Sequence, residues 1–439
     1  MAEEDVELGH VDIDDTVQLL LNFDEVQDRS KHHSGSIYMV PRVYRDLSPH
    51  SFTPRVVSIG PLHHQDEHLK GFEVQKAAHM QDLLHNILRP LDSTPEEILK
   101  ACVTKISGSI DKIKACYVGM KRYTDSELVK MMVMDACFIL AFMFNLESDS
   151  SLGKHSLLYP HILIDMVLIE NQIPFFVLQD IFECTVLKHY PTNPTTLSEI
   201  IFAVAQFFNL FERDLVMDNS SISSTHDHIL GFLHKSYQNP DRDSSIPQKP
   251  VKSHSVVDLD RAGVRFSNKI DAKWPMAMEL ELSRFLCFPL SWSKPTLKMP
   301  VLRIHDPSEL VIRNLIIYEH AAEVQACVTS YMYAMDYLID TPEDFAKLVR
   351  SQVLVNKIGS NEEAANIINN ICKGVPFADF YYEDEWKQMD DYYNAYWPKL
   401  FAELRRKYFS NPWSIIAVIA GIVLFVLTVV QTVYGVKAA

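Results

Sequence analysis

Leu128-Val129-Lys130-Met131-Met132-Val133-Met134-Asp135-Ala136-Cys137-Phe138-Ile139-Leu140-Ala141-Phe142-Met143-Phe144 is the stretch on which the reading of the fold turns. It is too long for a strand, and it is apolar on nearly every face, which is the pattern of a helix at the centre of a body. Thr124-Asp125-Ser126-Glu127 opens it with a capping box. Asp135 is the exception, a carboxylate in the middle of an apolar run.

Helical patterns continue on both sides. Leu69, Phe72, Met80, Leu83, Leu84 and Ile87 recur at helical spacing over 69–88, and Ser93-Thr94-Pro95-Glu96 supplies a second capping box. Ile162 to Phe182 carries Glu170-Asn171-Gln172-Ile173-Pro174-Phe175-Phe176-Val177-Leu178. Proline cannot continue a helix, so one helix is expected to end near Asn171 and another to start at Pro174. Further helices are expected over 197–211, 226–234 and 314–338, another capped by Ser360-Asn361-Glu362-Glu363, and one over 393–408. Residues 236–255, with Pro240, Pro247 and Pro250, read as an exposed linker or insertion. Gly263-Val264-Arg265-Phe266, Met278 to Leu282 and Val301-Leu302-Arg303-Ile304 read as short strands of a small antiparallel β element within 263–305.

Before the helices lie Ser36-Ile37-Tyr38-Met39-Val40-Pro41-Arg42 and Phe52-Thr53-Pro54-Arg55-Val56-Val57-Ser58-Ile59-Gly60-Pro61-Leu62-His63-His64. Their prolines exclude a long helix, and Arg55 to Ile59 reads as a short strand or a buried extended strip. Residues 1–35 are an acidic block with Arg29 as the first basic residue, the composition of a mobile arm.

Trp413 through Val433 has no charged side chain and is mostly Ile, Val, Leu, Ala and Phe. A helix of that length is roughly 30 Å long and matches a hydrocarbon core. Trp413 and Tyr434 stand where aromatic belts form. The expectation is a single C-terminal transmembrane anchor over 412–434, contacting the lipid bilayer. Lys399, Arg405, Arg406 and Lys407 before it, against Lys437 after it, place the body in the cytosol. The absence of a basic-then-apolar leader after Met1 and seven scattered cysteines agree with that. The fold class expected is mainly α: a large helical body over 36–410, the small β element and the anchor.

Stretches spread over about residues 35 to 434 resemble the plant family known as domain of unknown function 247. Pro41, Ser58, Gly60, Pro61, His63 and His64 stand at the positions of its N-terminal signature, and Glu73 and Lys76 at its Glu-x-x-Lys. Glu170, Asn171, Gln172 and Pro174 match its most recognisable motif; around Asp135 the match departs at Ala136, where glycine is usual. The resemblance implies no established enzymatic activity. It implies that some grass members are pollen determinants of self-incompatibility, with a small polymorphic secreted protein as the proposed partner.

The net charge of −16 argues against nucleic acid as a partner. No phosphate loop, dinucleotide fingerprint, zinc-protease helix, nucleophile elbow or Cys-x-x-Cys occurs, so no cofactor is expected. His63, His64 and His68, with Asp66 and Glu67, are the weak metal candidates. Asp135, Asp165 and Glu170 read as buried carboxylates. They are either general acids of a membrane-bound enzyme or structural groups that take backbone N–H bonds or pair with Arg42 or Arg55. The function expected is a membrane-anchored recognition or signalling protein without enzymatic activity.

Overall fold

The computed structural model describes residues 35–88, 94–147, 157–188, 196–215, 226–239, 253–269, 274–282, 295–377, 379–395 and 412–438. The acidic arm, most of the 236–255 stretch, Cys287 and the expected helix beyond residue 395 lie outside these residues. The chain divides into two compact units. One comprises Met1–Val40, Thr53–Leu197 and Thr225–Ile229; the other comprises Pro41–Phe52, Ser198–Ser224 and Leu230–Ala439.

In the first unit, β1 (Ile37–Tyr38) pairs in parallel with β2 (Tyr117–Val118). The helices are α1 (Glu73–Asp82), α2 (Pro95–Ser107), α3 (Ile110–Ala115), α4 (Asp125–Glu147), α5 (Tyr159–Asp165) and α6 (Phe175–Phe182). α4 is central, and from Leu128 to Met143 only Lys130 and Met134 escape burial. Phe138 meets Phe72 and His79 edge-on, and Phe142 stacks on Tyr159 at 5.3 Å. Both capping boxes form, but the one before α2 is shifted by one residue. Thr94 rather than Ser93 is the cap, exchanging bonds with Glu97, and Thr124 does the same with Glu127.

Two helices differ from the sequence reading. The stretch 69–88 is a 3-10 turn (Glu67–Phe72), then α1, then a π turn (Leu83–Ile87). α5 stops at Asp165, six residues before Asn171. Side-chain amides explain the early stop. Asn171 Nδ2 donates to Asp165 O at 2.9 Å, and Gln172 Nε2 donates to Met166 O and Leu168 O at 2.7 and 2.8 Å. These bonds take carbonyls that a further helical turn would have used. Pro174 then stands as the N-cap of α6, as its ring permits.

The second unit holds α7 (Leu197–Phe207), α8 (Ile229–Lys235), α9 (Val256–Ala262), α10 (Ser308–Ala321), α11 (Cys327–Leu338), α12 (Pro342–Arg350), α13 (Asn361–Ile371) and α14 (Glu383–Asn394). The expected continuous helix 314–338 is therefore two helices, α10 and α11, joined by a turn in which Glu323 has φ 51°. The expected antiparallel β element is a mixed sheet. β3 (Arg265–Asn268) runs parallel to β5 (Thr296–Met299), and only β4 (Glu279–Glu281) is antiparallel to β5. β6 (Leu302–Ile304) leaves that sheet to pair in parallel with β7 (Leu354–Asn356), a partner some fifty residues away that no local pattern announces. The core is strongly aromatic: Trp274 Nε1 donates to Tyr237 O at 2.6 Å, and Trp274, Tyr331, Tyr382 and Trp386 are all buried.

The C-terminal expectation is corrected. A helix, α15 (Pro412–Ala438), does form there, but among the described residues no helix is long and apolar enough to cross a membrane. The α15 run carries polar side chains toward its C-terminal end. That run contains Thr428, Gln431 and Thr432, the two threonines bonding back to Leu424 O and Thr428 O. The single-pass anchor over 412–434, the membrane location and the topology built on it are set aside. Tyr434 is exposed, and the Trp413 side chain lies outside the described residues.

Candidate functional site

Thr53 to His64 is an irregular strip, bent at Arg55-Val56 and again from Gly60 to His63, with no sheet partner. Its buried N–H groups must therefore find acceptors elsewhere, and the acceptors are side chains over a hundred residues distant in most cases. Asp165, fully buried at the end of α5, accepts from Arg55 N (3.0 Å), Val56 N (2.7 Å) and Val57 N (2.9 Å). Asn171 Oδ1 accepts from Ile59 N at 2.7 Å, while its Nδ2 donates to Val57 O at 3.0 Å. Asp135 Oδ2 accepts from Gly60 N at 2.7 Å. Gly60 has φ +76°, and a Cβ there would lie 2.4 Å from Gln172 O, so only glycine fits between the strip and the Asn171-Gln172 turn.

Two buried cation–carboxylate groups complete this clasp. Lys76, wholly buried on α1, donates to Asp135 Oδ1 at 2.6 Å and pairs with Glu73 at 2.7 Å. Burial works against its charge, and the Asp135 and Glu73 carboxylates outweigh it, holding the ammonium above its ordinary range. His63 bridges two acids, Nδ1 to Asp66 at 2.7 Å and Nε2 to Glu170 at 2.8 Å. Burial lowers its pKa, but the bonds to Glu170 and Asp66 raise it further, so the net shift is upward. The other oxygen of Glu170 accepts from Val40 N at 2.5 Å. Burial pushes the Asp165 carboxyl up, against the pull of its three N–H donors.

Most motif residues thus assemble into one network: Gly60 and His63 on the strip, and Asp135, Glu170, Asn171 and Gln172 beneath it; Ser58 Oγ is buried without a hydrogen-bond partner, and Pro61 O accepts from Tyr123. Pro41 lies apart from it, accepting from Tyr44 N and Arg45 N at the start of the short helix Arg42–Arg45. Arg42 pairs with Asp46 rather than with a clasp acid; Arg55 gives Asp165 its backbone N–H, and its charge adds a smaller pull on that carboxyl. The metal candidates do not converge. Both nitrogens of His63 are engaged by carboxylates, His68 Nε2 meets Pro54 O at 3.1 Å, and His64 Nδ1 is buried without a hydrogen-bond partner.

Asp66, Lys76 and Glu73 take larger parts than the sequence reading gave them, though a lysine three residues after a glutamate on a helix was a visible signal. The one group of described residues able to hold a metal ion, His234, Glu319 and Cys327 in the second unit, was missed. Its only trace was a carboxylate ending the apolar run Leu315-Ile316-Ile317-Tyr318. The six described cysteines are all free thiols.

Beside the clasp, α4 also walls a groove of about 640 Å³ lined by Met80, Leu99, Val103, Ile110, Val129 and Val133. Asp125 and Lys130 stand at its edge.

The sequence that builds this clasp matches the model of a plant family. The family described as "plant protein of unknown function", domain of unknown function 247, matches residues 37–427, and the chain belongs to it. A UPF0481 protein of Arabidopsis thaliana is 25% identical over 426 residues, covering 91% of this chain and 86% of the relative. A putative UPF0481 protein of the same plant is 23% identical over 487 residues, covering 90% and 89%. No solved structure matches.

Proposed function

We propose that the chain is a recognition protein that acts by binding another protein rather than by catalysis, with the α1–α4 groove of the first unit as the docking surface. The observation that supports this is how the buried acids are used. Both oxygens of Asp165, Asp135 and Glu170 accept hydrogen bonds from backbone N–H groups, Lys76 or His63. A general acid or base must instead reach a substrate proton. The groove has the opposite character, an apolar floor with an acid and a base at its edge, the make-up of a seat for an amphipathic helix. The clasp, through Asp135, holds the helix that forms the groove wall. A small polymorphic protein, the partner class that the family resemblance implies, is the first bait to try.

Proximity labelling in plant tissue from the wild-type chain and from a Val103→Glu/Lys130→Glu variant, both positions exposed on the groove, tests the reading. The expected result is a set of labelled proteins lost in the variant while its thermal melt is unchanged. An identical labelled set from a folded variant overturns the groove as the docking surface.

A further inference from the structure

We propose that His234, Glu319 and Cys327 form a metal site for one divalent cation of the zinc class. It would staple the end of α8 to the turn between α10 and α11. The inference is independent of the groove and lies within the second unit alone.

The three side chains are buried, with exposures of 1%, 2% and 0%. His234 Nε2 lies 2.8 Å from Glu319 Oε1 and 3.5 Å from Cys327 Sγ, and Sγ lies 3.4 Å from Oε1. The main-chain oxygen of Gln325 is a further electron-pair donor, 3.1 Å from the same Nε2. Zinc bonds of about 2.0–2.3 Å to N, O and S at tetrahedral angles give ligand–ligand edges of about 3.4–3.6 Å. Two of the three edges already have that length, and only the His–Glu edge has to open, by about 0.6 Å.

The arrangement is not that of a thiol nucleophile. A Cys–His–acid relay runs through both ring nitrogens, one toward the thiol and the other toward the acid. Here thiol, carboxylate and carbonyl all gather on Nε2, which is convergence on a point. The thiol donates to Glu319 Oε1 and Nε2 has one proton to share between Glu319 and Gln325 O, whereas a cation could take all four groups as ligands.

The surroundings hold the ligands in place. Glu319 Oε2 accepts from Thr329 N at 2.8 Å and Thr329 Oγ1 at 2.6 Å, and Val328 N donates to Oε1 at 2.7 Å, which fixes the carboxylate plane. Without metal, Nε2 carries the proton that Glu319 and Gln325 receive. On binding, the thiol proton passes to solvent and the imidazole proton moves to Nδ1, 3.4 Å from the Gln238 amide. That amide turns to present its oxygen, and the part-exposed Lys235, which donates to it at 2.8 Å, swings away. With Gln325 O as fourth ligand the shell is closed, the form of a structural rather than a catalytic site.

The test uses the full chain, stripped with chelator and reloaded with Co²⁺ or Zn²⁺. The expected result is one Co²⁺ per chain with a thiolate-to-cobalt charge-transfer band. That band should disappear in Cys327→Ser and persist in Cys372→Ser, which alters another buried thiol. Zn²⁺ at a hundredfold excess over its Kd should raise the melting temperature by about 5–10 °C. X-ray absorption of the zinc-loaded wild type needs no variant and should show one sulfur scatterer. No band and no sulfur scatterer, or binding of the same stoichiometry in a folded Cys327→Ser, overturns the site.

Discussion

Asp165 in the first unit and Glu319 in the second are both fully buried carboxylates that accept backbone N–H groups, yet they do different work. The donors to Asp165 lie 108–110 residues away on a strip that no sheet supports. The backbone donors to Glu319 are 9 and 10 residues away, in the first turn of the next helix, and among the described residues only the His234 side chain reaches it from a distance. A local acceptor fixes one turn. A distant one fastens segments whose approach requires a long loop to close, so its loss frees a large part of the chain. The same chemistry is a cap in one unit and a tie in the other.

The comparison is broken most sharply at Lys76. Lys76→Met leaves Asp135 as a buried charge without its partner and should destabilise the first unit by about 3–5 kcal/mol. Adding Asp135→Asn should return part of that loss. Urea denaturation of both variants measures it, and a double variant worse than the single one shows that the pair is not the unit of stability.

Asp165→Ala strips acceptors from three N–H groups and should cost about 3 kcal/mol, at roughly 1–3 kcal/mol for each group that stays buried. Trypsin cleavage after the exposed Arg55 should speed up with it. Glu319→Gln keeps a carbonyl oxygen for its local donors and should cost about 1 kcal/mol. If the two variants melt together, the distinction between tie and cap fails.

Within the motif, Glu170→Leu should lose roughly 1–3 kcal/mol, because Val40 N–H and His63 lose their acceptor. Pro174→Ala keeps the carbonyl that starts α6 and should lose less. Thermal melts that rank them the other way remove Glu170 from the clasp.

The smallest effect is a pH slope. The folded pKa of His63 lies above its ordinary 6.5 because of Glu170 and Asp66, which overcome burial. Its contribution is therefore fully present below pH 6.5 and is lost as pH rises through the folded value. His63→Asn should flatten the fall in melting temperature as pH rises above 6.5, relative to the wild type. An unchanged slope would show that His63 does not titrate between its two acids.

The helices were legible where their signals lie within four residues. Thr124 with Glu127, Ser360 with Glu363 and Pro174 at the head of α6 are visible as spacing, and each forms the cap its chemistry allows. The apolar run from Leu128 is buried because a helix without a polar face has no other stable place. The same reasoning misjudged α5, whose end is set by Asn171 and Gln172 reaching back. It also misread the C-terminal run, where composition alone was taken for a membrane span.

The sequence by itself determined a mainly helical chain of this plant family and the acids that would be out of place in its apolar runs. Only the tertiary structure decided what those acids hold: the strip 55–60 for Asp165, Asn171 and Asp135, Val40 and His63 for Glu170, and His234 with Cys327 for Glu319. Helix periods and caps are contacts between near neighbours, so spacing records them. An acceptor and a donor a hundred residues apart share no period, and they meet only when the packed helices bring them together.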